Sequence, residues 1–73
     1  MTYLKLRRLS HNNNGEVQEN VIYVNPQHIR VFSQDYSDEF EDFVTAISWA
    51  NSSYIETIVK ETPYQIEDQL TLS

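Results

Sequence analysis

Residues 43–50, FVTAISWA, alternate without a break: Phe43, Thr45, Ile47 and Trp49 fall on one side, and Val44, Ala46, Ser48 and Ala50 on the other. A period of two marks a β-strand, whose successive side chains point to opposite faces. The same period recurs along the chain. In YLKLRRL (3–9), Leu4 and Leu6 oppose Lys5 and Arg7, and Arg8 interrupts the apolar row, so that end is expected at an edge or an interface. In NVIYVN (20–25), Val21 and Tyr23 oppose Ile22 and Val24; apolar residues on both faces predict a central strand or one covered by another subunit. Ile29 and Val31 oppose Arg30 and Phe32, and near the end Ile55, Thr57 and Val59 oppose Tyr54, Glu56, Ile58 and Lys60. These runs predict a mainly β (α+β) fold: a small antiparallel sheet or barrel-like fold of about five strands, with residues 1–73 as a single domain.

The punctuation between the runs is equally informative. HNNNGEVQEN (11–20) is polar and holds the only glycine. Asn and Gly tolerate positive φ, so Asn14-Gly15 is where the chain should reverse, in a loop longer than a tight hairpin needs. At VIYVNPQHI (21–29) the strand pattern stops and then resumes. Asn25 is a good helix N-cap and Pro26 suits a first helical position, which predicts one short turn through PQH acting as a corner between strands. SQDYSDEFED (33–42) reads as an exposed acidic loop, and Asn51-Ser52-Ser53 as a short turn. The sharpest local signal is ETPYQIEDQL (61–70): Thr62 with Gln65 three residues on forms a capping box around Pro63. A helix of about two turns follows, with Glu61, Glu67 and Asp68 favouring its start and Ile66 and Leu70 forming one apolar stripe near Tyr64. A helix that short must dock on something.

A chain of 73 residues buries only about 60% of the surface it would expose unfolded. Small domains commonly supplement such a core with disulfides, metals or self-association. The chain has no cysteine, which removes disulfides and the usual zinc sites and leaves a homo-oligomer as the expected supplement. No apolar run approaches the roughly 18–20 residues of a membrane span, and MTYLKLRRLS has no signal-peptide block, so a soluble, cytoplasmic protein is expected. The formal charge of −6 argues against direct nucleic-acid binding.

The strand ending in YVNPQHI, the late hairpin FVTAISWANSSYIETIV and the closing KETPYQIEDQL resemble, in order and spacing, the small FlbD/SwrD-like family associated with flagella and swarming motility. Asn25, Pro26, Ile29, Thr62, Pro63 and Ile66 are the corresponding positions. All are structural in kind, and the polar and acidic loops here are longer than in that family. The resemblance implies a small regulatory protein working through partners.

Catalysis is not expected. There is no cysteine nucleophile, and His11 and His28 sit in unrelated segments with no third partner to orient either. Asp35, Asp38, Glu39, Glu41 and Asp42 lack the spacing and the glycine of an EF-hand, and a single glycine makes no phosphate-cradling loop, so neither a metal nor a cofactor is expected. Three binding functions remain. A protein partner would be anchored by the aromatics Tyr36 and Phe40, with Trp49 assigned to the core. A small anionic ligand such as a nucleotide would be held, between symmetric copies, by Arg7, Arg8, His11, Asn12, Asn13, Asn14 and Arg30 with Tyr3 or Tyr23 stacking; this would suit a phage anti-defence protein that sequesters a nucleotide signal. Last, the acidic stretch would act as a nucleic-acid mimic that inhibits a host protein.

Overall fold

A computed structural model describes residues 3–72, the side chains of 52–55 and 72 excepted. Five strands and one helix follow in chain order: β1 (Leu4–His11), β2 (Val17–Val24), a 3-10 turn (Pro26–His28), β3 (Ile29–Ser37), β4 (Asp42–Trp49), β5 (Ser52–Val59) and α1 (Pro63–Leu72). The strands form one antiparallel sheet in the order β2-β1-β5-β4-β3. The mainly β expectation holds, as an open sheet.

That sheet has to curl. β2 ends at Val24 and β3 begins at Ile29, yet the two strands are its opposite edges. Four strand spacings of ~4.8 Å would set flat edges about 19 Å apart. A link containing one 3-10 turn spans only about 14 Å, at ~2.0 Å rise per residue within the turn and ~3.3 Å outside it. The corner therefore pulls the two edges toward each other. It is built as its sequence predicts: Asn25 Oδ1 accepts from the Gln27 N–H at 3.0 Å, the Asn25 carbonyl accepts from the His28 N–H at 3.0 Å, and Pro26 opens the turn. The Ala50 N–H, bonded to the His28 carbonyl at 2.7 Å, ties the β4–β5 turn to this corner.

The concave face gathers the core. Leu4, Leu6, Val24, Ile47, Val59 and Ile66 are buried, with Ile22, Ile29, Phe32, Trp49 and Leu70 packed around them. Trp49 belongs to this group, its Nε1–H donating to Thr57 Oγ1 at 2.9 Å. The capping box forms as expected: Gln65 Oε1 accepts from the Thr62 N–H at 2.9 Å, and the Gln65 N–H donates to Thr62 Oγ1 at 3.2 Å. At ten residues α1 runs longer than the two turns expected. Ile66 and Leu70 dock it on the core, and Tyr64 points to water.

Five expectations need correction. The polar segment 11–20 is no long loop: β1 continues to His11, and Asn12 closes the turn by accepting the Asn14 and Glu16 N–H groups on Oδ1, both at 2.9 Å, with Gly15 at φ +80°. The acidic stretch is mostly strand, because β3 runs on to Ser37, opposite Asp42, and leaves only residues 38–41 as turn. Backbone pairing there overrides composition. A bulge between Ile29 and Val31 turns Ile29 and Phe32 to the same face and leaves Val31 exposed, so the simple alternation predicted for that run fails. Finally, β2 is an edge strand rather than a central one, and Trp49 pairs with Ser52, which moves the last turn to Ala50-Asn51. The orientations expected for Tyr54 and Ile55 lie outside the described side chains.

The seam between β1 and β5 is the thinnest in the sheet. Arg8 opposite Val59 is its one ladder pair, extended by the Lys60 N–H to the Arg7 carbonyl at 2.9 Å. Side chains complete it. The Gln69 amide, on α1, accepts from the Lys5 N–H at 2.8 Å and donates to the Lys5 carbonyl at 3.0 Å, as a paired strand would. Glu61 takes the Arg7 N–H on Oε1 at 2.7 Å and the Arg7 Nε–H on Oε2 at 2.8 Å. Its own carbonyl accepts from the buried Thr45 hydroxyl. Glu61 thus serves the sheet, not the start of the helix as expected.

Burial pushes the Glu61 carboxyl up, but the Arg7 N–H, the Arg7 side chain, the Glu61 N–H and the guanidinium charge together outweigh it and hold the group below its ordinary value. A carboxylate with a lowered folded value contributes stability that is present above its unfolded value of about 4.3 and lost as pH falls through the folded one. Urea midpoints measured from pH 6 down to pH 3 should therefore fall with acid in the wild type. In Glu61→Gln that part of the pH dependence should disappear, with stability at pH 7 lower by about 1–3 kcal/mol. An unchanged acid profile would show that the seam does not depend on this charge.

Candidate functional site

The convex face carries a second, smaller cluster. Pairing puts side chains of directly opposed residues on one face, so Lys5, Arg7, Leu9 and His11 share it with Tyr23, Val21, Glu19 and Val17. Lys60, just after β5, and Val44, on β4, reach the same side. Val44 is buried although it lies outside the main core.

What covers Val44 is the β3–β4 turn folding back. His11 and Phe40 stack with ring centroids 4.8 Å apart and planes within 4°. His11 Nδ1 lies 2.9 Å from Glu39 Oε1. Phe40 is thus held by its own chain, its N–H donating to Ser37 Oγ at 3.2 Å. Between turn and sheet a pocket of about 160 Å³ remains, lined by Leu9, Val17, Phe40, Phe43 and Val44 and, on its polar side, by Glu19, Lys60 and Asp42. Lys60 Nζ is 2.9 Å from Glu19 Oε2, so that side is closed by an ion pair.

Beside the pocket the surface is apolar. Val17 and Val21 are each 52% exposed and Tyr23 67%, forming a row along β2. At the tip of the β3–β4 hairpin, Tyr36 and Phe43 pack edge to face with centroids 5.3 Å apart, both more than half exposed. Monomeric soluble proteins rarely expose large contiguous apolar patches.

The residues proposed from sequence for an anionic ligand do not converge within one subunit. Arg7 is engaged by Glu61 and, at 3.8 Å, by Glu19; hydrogen bonding to Glu61 and then its charge raise the Arg7 value. Arg8 lies on the opposite face of β1 from Arg7, and Arg30 lies on β3, with β5 and β4 between. His11 is stacked, and Asn12 closes its turn, with exposed Asn13 and Asn14 beyond it. Tyr3 and Tyr23 are exposed. Of the two aromatics proposed as partner anchors, Tyr36 is open to solvent and Phe40 forms the pocket wall. Leu9, Val17, Glu19, Val44 and Lys60 were not singled out, because four separate segments must meet before they form a site. Among the described residues no three His, Asp or Glu side chains are grouped to hold a metal ion, and no helix is long and apolar enough to cross a membrane.

Against known proteins, the chain matches no family model, no curated sequence and no solved structure. The resemblance to the FlbD/SwrD-like family rests on its motifs alone.

The turn that carries Phe40 holds Glu41 at φ +54°, a conformation that costs a side-chain-bearing residue about 1–2 kcal/mol. Glu41→Gly should relieve that strain and stabilise the protein by about 1 kcal/mol, raising the melting temperature by roughly 4–8 °C. A lower melting temperature would show that the Glu41 side chain contributes more than its backbone costs.

Proposed function

We propose that this chain is a non-catalytic, self-associating binding module that receives an apolar side chain of a protein partner in the pocket between the β3–β4 turn and the convex face. The observation carrying this reading is the pocket's size and lining. Its volume of about 160 Å³ compares with apolar cavities of ~150 Å³ that hold a single benzene, whereas small-molecule sites span about 300–1,000 Å³. One ring or branched aliphatic group fits within that volume, whereas a nucleotide would extend out of it into solvent.

The surroundings support the same reading. Interface anchors sit in desolvated pockets, and Val17 and Phe43, both more than half exposed, stand in the lining of this one. The Glu19–Lys60 pair supplies a polar rim. Engagement of Arg7 by two carboxylates weakens the anionic-ligand alternative, since its strongest donor is already neutralised. A regulatory role of the kind implied by the FlbD/SwrD-like resemblance fits a module that binds without reacting. Self-association fits a small core lacking cysteine.

Two probes separate the readings in an amide-resolved nuclear magnetic resonance titration. N-acetyl-tryptophanamide should shift Leu9, Val17, Phe40 and Val44 saturably, and ATP should produce no saturable shift. Saturable ATP shifts at Arg8 and Arg30, with none from the aromatic amide, would overturn the proposal.

A further inference from the structure

The hydrogen bonds at the seam fix which way every residue of β1 and β2 faces. Lys5 and Arg7 direct their N–H and C=O groups toward α1, Glu61 and Lys60. Groups alternate along an antiparallel strand, so Leu4, Leu6, Arg8 and Ser10 bond β2 through Val24, Ile22, Asn20 and Gln18. Val17, Glu19, Val21 and Tyr23 then send their N–H and C=O groups to the free edge. Three of these, Val17, Val21 and Tyr23, form the exposed apolar row on the convex face, with Glu19 between them.

Exposed edges normally carry a bulge, a proline, a lysine or unpaired charge that blocks strand addition. β3, the other edge, has its bulge between Ile29 and Val31, together with Asp35. β2, VQENVIYV, has none of these devices. Its one charge, Glu19, is already paired with Lys60 and Arg7.

Resting on the self-association reading above, we infer that β2 pairs antiparallel with β2 of a second copy about a two-fold axis at Asn20. In that register Val17 stands opposite Tyr23 of the second copy, and Glu19 opposite Val21. Every outward N–H and C=O group of the strand is paired, and the two apolar rows merge into one stripe across the dimer. Neighbouring registers are worse. Sliding the strands one way places Glu19 against Glu19, and sliding them the other leaves Val17 without an opposing strand residue. An isologous contact of this kind needs the same patch on both copies, and the edge is complementary to itself.

The geometry supplies its own test. The Val21 N–H makes no bond to β1, so proline is tolerated there as at other edge positions while it blocks the incoming strand. Native mass spectrometry should show a dimer for the wild type, and a monomer for Val21→Pro and for Val21→Lys. Both variants should keep wild-type circular dichroism; should the proline variant fail to fold, the lysine variant decides. Val31→Lys on the opposite edge should leave the dimer intact. A dimer that survives both Val21 changes, or is lost with Val31→Lys, overturns this interface and leaves self-association standing. A wild-type monomer at tens of micromolar overturns both.

Discussion

The fold depends on a strand that has run out of backbone partners. β1 lies inside the sheet, but β5 pairs with it only at Arg8 and through the Lys60 N–H. The rest of that side would leave the peptide groups of Lys5 and Arg7 without strand partners, at a cost of about 1–3 kcal/mol for the partly buried Arg7 N–H. Glu61 and Gln69 remove the cost by behaving as a strand: a carboxylate accepts the Arg7 N–H, and a side-chain amide both accepts from and donates to Lys5. The chain just after β5, and the helix that follows, thereby become part of the sheet. A ten-residue helix, marginal in isolation, is fixed in place by these bonds and by the burial of Ile66.

Several features of the surface follow from that seam. Because α1 and Glu61 occupy one side of β1, β2 alone covers the other and is left as an edge. Because Arg7 is drawn to Glu61, its Nε–H is committed within the subunit. Lys60, the first residue after β5, emerges on the convex face and pairs with Glu19, closing the polar side of the pocket. The curl imposed by the short Asn25–His28 corner leaves the β3–β4 hairpin free to fold its turn back over Val44.

How much of this was legible in sequence depended on range. The Asn25 corner and the Thr62–Gln65 capping box are bonds between residues two or three apart, and local pattern found both. The alternation in 43–50 puts Phe43, Thr45, Ile47 and Trp49 on one face; Thr45, Ile47 and Trp49 meet the core, while Phe43 at the hairpin tip is exposed and Val44 on the other face is buried. Composition misleads where hairpin pairing decides: Asp35 and Tyr36 read as part of an acidic loop, yet they face Val44 and Phe43 across a ladder. The contact between Arg7 and Glu61 spans 54 positions, and a charged residue preceding a capping box looks like helix-end electrostatics. For the site, the sequence marks Phe40 as a candidate anchor, but the residue it stacks on, His11, belongs to a hairpin far away in sequence.

Amide hydrogen exchange tests the completed seam most directly, because protection reports whether each N–H is bonded in the folded state. If side chains replace the missing strand, the Lys5 and Arg7 amides should exchange as slowly as the Leu6 amide beside them, and Gln69→Ala should release Lys5 while Leu6 stays protected. Fast exchange at Lys5 and Arg7 in the wild-type protein, with Leu6 slow, would contradict the account.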